Sequence, residues 1–482
     1  MNVWELNLAL SAWQSGRALQ NTGRQLAVFS DDLWIICPLA MAGEDPSLHA
    51  VLLGPRGQKP QLLVAPDPRS PRSRLEMLSR LYKVLGPHVE RCLAKNGALP
   101  QLVVPSSSAA DVLLGLADWL PYLQDQEGKK LQQWTEDARA LGTLFQLYSQ
   151  RSRLTGQQLL LSASGLLDEH FAFGQELRGH LGAQLVWINP PEDEHVALCA
   201  ARAEALPMGA KTDAHLDLEQ LSPALDGWSK VERGGSRSLA SFRRQEIEDL
   251  LLSVLDPIYL ASSQAIDCIE GLGLRPLKGL DELWERDVAA FERHMQRISE
   301  GGRFSRRDST SSAAYGLAES EDALEQWRAC RLWDDPLSLA QARVDGAVLH
   351  GVAHLLPAQQ GSFLVLETDQ RWLRVRIGDE LHYMQGSAKA SVESMVREGD
   401  KTKVLLSLSG SGHQIPQEDE LCDFASAPAD WFRLASQRGN LSRALQEMPT
   451  THSEPQEGES SPPSPAWEEG DLDPLQMVEE LR

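Results

Sequence analysis

The sequence predicts an α+β chain of several domains: an N-terminal α/β domain, a mainly helical middle, a small antiparallel β-barrel and a disordered acidic tail. Three observations predict it. The apolar run Leu102–Val104 passes through serines into a helical pattern, as in a βα unit. Short β-type runs separated by glycine turns crowd into residues 337–426. Beyond residue 447, Pro, Ser and Glu replace the apolar residues that a core needs.

The expected boundaries are 1–135 for the α/β domain, 136–335 for the helical domain, 337–426 for the barrel, 427–446 for a helical connector and 447–482 for the tail. In the first, Ala9–Leu19 is helical and Leu26–Phe29 and Leu33–Cys37 are strands. His49–Leu53 and Gln61–Ala65 form a further strand pair, with Gly54–Gly57 as the turn. Leu75, Leu78, Leu81, Val84 and Leu85 follow helical spacing within Arg74–Leu93. Leu102–Val104 is a strand, and Ala109–Leu120 the helix that follows it.

In the middle, Leu144–Leu154, Gln157–Phe171, Ile247–Gly271 and Leu280–Ile298 carry helical apolar spacing, and Gln184–Ile188 is a candidate isolated strand. Gly227–Ser238 and the basic Gly301–Asp308 are expected breaks, and a helix starts near Ser309. The expected barrel strands are Val344–Val352, Phe363–Glu367, Trp372–Ile377, Glu380–Met384 and Lys403–Leu408. The turn Val396–Lys401 resembles those of S1-like and other OB barrels.

Composition excludes several function classes. A net charge of −22 over 482 residues argues against a surface that wraps naked nucleic acid or docks on an anionic leaflet, while leaving room for a local basic face. The six cysteines are scattered and form no CxxC or disulfide framework, which fits a reducing compartment. The N-terminus lacks a signal-peptide pattern and no run approaches 18 apolar residues, so a cytoplasmic protein without membrane spans is expected.

The candidate binding face lies in the barrel. Over Arg371–Ile377 the residues alternate, with Leu373, Val375 and Ile377 on one side and Trp372, Arg374 and Arg376 on the other. An aromatic ring beside guanidinium groups suits single-stranded nucleic acid, whose bases stack and whose phosphates pair with arginine. Arg371 adds to it, Lys389, Arg397, Lys401 and Lys403 extend the face, and the acidic Asp379, Glu380, Glu393, Glu398 and Asp400 dilute it. The competing reading is a solvated strand face that simply carries charge.

Other candidates have sufficient structural explanations. Ser106–Ser108 sit where a helix N-terminus can hold an anion or a serine can act as nucleophile, yet Ser107 or Ser108 as a plain N-cap explains them. Asp168–His170 and Asp193–His195, even with His180, lack metal-ligand spacing. His350 and His354 are four apart, on a strand and loop where that spacing does not chelate. His413 lies in a flexible glycine loop. Arg303, Arg306 and Arg307 read as a solvated linker, and the charges after Arg243 and Arg244 offset one another. No catalytic, metal or cofactor motif is found.

The terminus is an interaction candidate. From Pro449 onward nine acidic residues face one arginine, a net of −8, and Leu472, Leu475, Val478 and Leu481 recur every three residues. Such an amphipathic end can fold into a partner's groove; unstructured leucines are the alternative.

Several stretches, sharpest in LTGQQLLLSASGLLDEHFAFGQ (residues 154–175), LVWINPP (185–191) and RRDSTSSAAYGLAESEDAL (306–324), resemble a group of uncharacterised bacterial proteins associated with neighbouring large helicases. The resemblance implies a bacterial setting and a non-catalytic accessory role beside a nucleic-acid motor, in genome maintenance or phage defence. It transfers no active-site residue. An enzyme with its site at Ser106–Ser108 or His170, and a purely structural subunit, are the alternatives.

Overall fold

The computed structural model describes residues 3–428 apart from 42–47, 126–127, 176, 178, 235–236, 303–308, 357–362 and 410–414. A minor ribbon pairs β1 (Leu19–Gln20) with β7 (Phe171–Ala172). Between them in sequence run β2 (Trp34–Ala40), β3 (Leu48–Pro55), β4 (Gln61–Val64), β5 (Leu102–Val104) and β6 (Leu160–Ser162). These five form one mixed sheet in the order β4-β3-β2-β5-β6. The pairs β2–β3 and β3–β4 are antiparallel; β2–β5 and β5–β6 are parallel.

Alternation along β2 explains why the sheet is buried on both sides. Trp34 and Ile36 join one core with the helices Pro71–Ala94 and Lys129–Ser152. Ile35, Cys37 and Leu39 join a second core with the long helix Arg237–Gly271. The result is helix–sheet–helix layering, in which a strand reads as a continuous apolar run because both faces need apolar residues.

The barrel strands are β8 (Val348–Leu355), β9 (Phe363–Thr368), β10 (Glu380–Tyr383), β11 (Lys389–Glu398), β12 (Lys401–Ser409) and β13 (Leu421–Ala425). They close in the order β10-β11-β12-β9-β8-β13, with every neighbouring pair antiparallel. Leu349, Leu364, Leu366, Leu381, Val404, Leu406 and Phe424 fill the interior. Gly351 is required by packing: a Cβ there would meet the Glu367 carbonyl oxygen at 2.4 Å. The helix Pro336–Val344 is fastened to the barrel by Arg343, whose guanidinium donates two hydrogen bonds, of 2.8 and 2.6 Å, to the buried Asp423 carboxylate. Burial alone would raise the Asp423 pKa, but the Arg343 and His350 donors hold it below the usual carboxylate range.

Several expectations change. Gln184–Ile188 is not a strand but the end of the helix Leu181–Ile188, because Leu181, Ala183, Gln184 and Trp187 are buried at helical spacing. Gln157–Phe171 is not one helix: β6 interrupts it, and the helix proper is Ala163–His170. The boundary expected at 135 falls within the helix Lys129–Ser152, and β6 beyond it completes the first sheet. The helix Ser222–Arg233 occupies much of the expected linker. Two of the six barrel strands, β11 and β13, lie outside the expected set, and Trp372–Ile377 is not a strand but a connection between β9 and β10. Among the described residues, no helix is long and apolar enough to cross a membrane. Most of the expected connector and the whole tail, with Leu472, Leu475, Val478 and Leu481, lie outside the described residues.

Candidate nucleic-acid interface

The segment after β9 is pinned at both ends, although it pairs with no strand. Gln370 anchors its start: the side-chain amide donates to the Arg343 and Val348 carbonyls, and Oε1 accepts the His350 N–H at 2.8 Å. The Arg374 N–H donates to the Gly346 carbonyl at 2.9 Å. At the far end the Arg376 N–H donates to Asp379 Oδ2 at 2.7 Å, and the Gly378 N–H to the Val392 carbonyl at 2.8 Å.

These bonds preserve the alternation read from sequence without a ladder. Val375 is buried and Leu373 half-buried against the barrel core. Trp372 is 74% exposed, so its ring offers a face to solvent. Arg371, Arg374 and Arg376 are exposed beside it, and among the described residues none of the three forms an ion pair. Ile377 departs from the expected pattern: it is 64% exposed, because the chain turns at Ile377–Gly378 to enter β10.

The two lysines expected to extend the face are committed elsewhere. Lys401 pairs with Glu367 across the β12–β9 ladder, and Lys403 Nζ lies 2.7 Å from Glu398 Oε2. Lys401 holds the Glu367 carboxyl below its ordinary pKa, and Glu398 raises the Lys403 ammonium. Among the described residues the arginine segment, with Lys389 and Arg397 exposed on β11, is left without ion pairs.

No protein family matches the chain, and no curated protein or solved structure is similar to it.

The serine loop has a different arrangement from the one expected. Ser106, not Ser107 or Ser108, is the N-cap of the helix Ser107–Leu114, its hydroxyl accepting the Ala109 N–H. Ser162 caps the helix Ala163–His170 in the same way after β6. The two adjacent parallel strands thus end in two serine-capped helices, and beside them lies a cleft of about 380 Å³. Ser107, Ser162, Asp111 and Glu169 line it, with Leu26, Leu166 and Trp327 as apolar wall. Burial raises the Glu169 carboxyl above the ordinary range, opposed by the charge of Arg331. In sequence Glu169 is one member of the Asp-Glu-His triplet; the signal that singles it out is the second serine cap at the end of β6.

His170 is a core residue. It is fully buried; Nδ1 lies 2.7 Å from the Leu166 carbonyl, and Nε2 accepts the Leu26 N–H at 3.1 Å. Desolvation lowers its pKa to about 4, so the ring is neutral at pH 7 and held as the Nδ1–H tautomer. Asp193–His195 precede the helix Val196–Glu204, with His195 as N-cap residue and its ring 5.8 Å from that of Trp13. His350 and His354 both lie on β8 and diverge: His350 Nδ1 is 2.8 Å from Asp423, whereas His354 Nδ1 is 3.3 Å from both Glu418 and Asp419. Arg243 and Arg244 pair with Glu246 and Glu248, as the sequence suggested. His413, Arg303, Arg306 and Arg307 lie outside the described residues.

Proposed function

We propose that this chain is a non-catalytic accessory protein of a bacterial nucleic-acid-processing machine, helicase-type or another motor, and that it touches single-stranded nucleic acid through the barrel. One observation carries the reading: a tryptophan 74% exposed, flanked by three arginines without ion pairs among the described residues, in a chain of net charge −22. Exposing that much indole to water is unfavourable unless something covers it, and unneutralised guanidinium groups are the natural partners of phosphate. The glycine-turned β11–β12 hairpin is in keeping with an OB- or S1-like binding barrel, though the six strands exceed the five of an OB fold.

The protein-partner half rests on the helix Val3–Ser15. Val3, Leu6, Leu10 and Trp13 repeat at helical spacing and are 47–60% exposed, an apolar stripe of the kind that partner helices cover.

The test is binding of the full chain to single-stranded DNA and RNA across a salt series. Affinity that falls with salt, and falls further in Trp372→Ala and in Arg374→Ala with Arg376→Ala, supports the reading. Absent binding, or binding indifferent to these changes, removes the nucleic-acid half.

A second reading, an enzyme of the α/β domain, is favoured by the shared position of Ser107, Asp111 and Glu169 in one cleft at the ends of β5 and β6. Carboxyl groups with raised pKa in clefts are characteristic of acid–base sites. Ligand-dependent stabilisation lost in Glu169→Gln would favour it over the first.

A further inference from the structure

Away from both sites, on the side of the first core, a cavity of about 350 Å³ opens between the start of the helix Pro71–Ala94, the start of the helix Lys129–Ser152 and the turn around Trp119 and Leu123. Its walls are Leu75, Leu78, Trp119, Leu123 and Leu131. The volume lies within the range of small-molecule sites, roughly 300–1,000 Å³.

The charged residues among its described lining, Arg72 and Arg74, are both cationic. Pro71 has no N–H, and the Ser73 N–H is taken by the Ser70 hydroxyl. The Arg72 N–H is left as an open donor at the positive end of a 24-residue helix. The Arg72 side chain is exposed on the same rim, without an ion pair among the described residues. None of the described lining residues is acidic. Asp125, next to the lining residue Gln124, is 2.7 Å from Arg139 Nη1. An apolar chamber with a cationic, donor-bearing entrance is complementary to a molecule with an apolar body and an anionic head. Burial of the body supplies the affinity, and the head remains at the wet rim where its charge costs little to place.

We propose that this cavity binds a small amphiphilic anion, a medium-chain alkyl carboxylate or its phosphate analogue, with the chain between Leu75, Trp119 and Leu131 and the head at Arg72. This site is independent of the barrel face and of the cleft at β5 and β6.

The test is calorimetric titration of the full chain with decanoate, decyl phosphate, decan-1-ol and decylamine. The expected result is one decanoate or decyl phosphate per chain, with the alcohol and the amine at least tenfold weaker. Arg72→Glu should weaken decanoate binding at least tenfold, and since Arg72 is exposed the variant should fold. Leu75→Trp, which fills the chamber, should abolish binding at an unchanged circular dichroism spectrum. If Leu75→Trp fails to fold, Arg72→Glu still decides. No binding of either anion, equal binding of decan-1-ol, or decanoate binding indifferent to Arg72→Glu overturns the proposal.

Discussion

Gly346 and Trp372 approach so closely that a Cβ on the glycine would lie 2.0 Å from the Trp372 carbonyl oxygen. Gly346 also has φ +69°, a conformation that other residues adopt at a cost. The exposed tryptophan is therefore held by a residue 26 positions upstream, outside the barrel strands.

Gly346→Ala is expected to displace the Arg371–Ile377 segment. Stability should fall by about 2 kcal/mol or more, from backbone strain together with the forced separation. Urea unfolding with tryptophan emission checks it. Any nucleic-acid affinity should fall as in Trp372→Ala although no contacting side chain has been removed.

The arginines should register in the salt dependence. If Arg374 and Arg376 each neutralise one phosphate, removing both lowers the slope of log K against log salt by roughly 1.4 on a single strand, at ~0.7 per contact. Lys401→Ala and Lys403→Ala should leave that slope nearly unchanged, because those lysines are already paired with Glu367 and Glu398.

His170 predicts an acid limb in stability. Its folded pKa is about 4 against an ordinary 6.5. As pH falls below 6.5 the unfolded chain takes up a proton that the folded chain refuses. The stability contribution is complete above pH 6.5 and is lost progressively down to about pH 4, by about 3 kcal/mol in total. His88, also lowered to about 4 by burial, acts in the same window. Chemical denaturation at intervals from pH 7.5 to 4 measures the loss. His170→Phe should flatten part of it while costing stability at pH 7 through the unpaired Leu26 N–H.

The buried pair of Arg151 and Asp287 predicts non-additivity. Asp287 is fully buried, 2.6 Å from Arg151 Nη2, and its other oxygen accepts the Gln158 N–H at 2.6 Å. Arg151→Met strands a buried carboxylate and should cost about 3–5 kcal/mol. Arg151→Met with Asp287→Leu should cost less than that single change, leaving about 1–3 kcal/mol for the Gln158 N–H. Thermal unfolding of the two variants and their parent decides it.

The sequence by itself determined the features that depend on local periodicity. Alternation over Leu373–Arg376 placed Trp372 and the arginines outward even though no strand forms there, because a side chain's direction follows extended backbone and not the ladder. Apolar runs marked β2 and β5, and helical spacing marked the helix Pro71–Ala94 and the second half of Lys129–Ser152. Only the tertiary structure decided what those segments meet. The run Leu159–Leu161 reads equally as helix or buried strand until β5 is beside it. Lys401 and Lys403 look as cationic as Arg374 until Glu367 and Glu398 come within reach. Glu169 becomes a cleft residue only when β5 and β6 end side by side. Strand pairing and charge neutralisation join residues far apart in the chain, and local patterning carries no record of which partner will arrive.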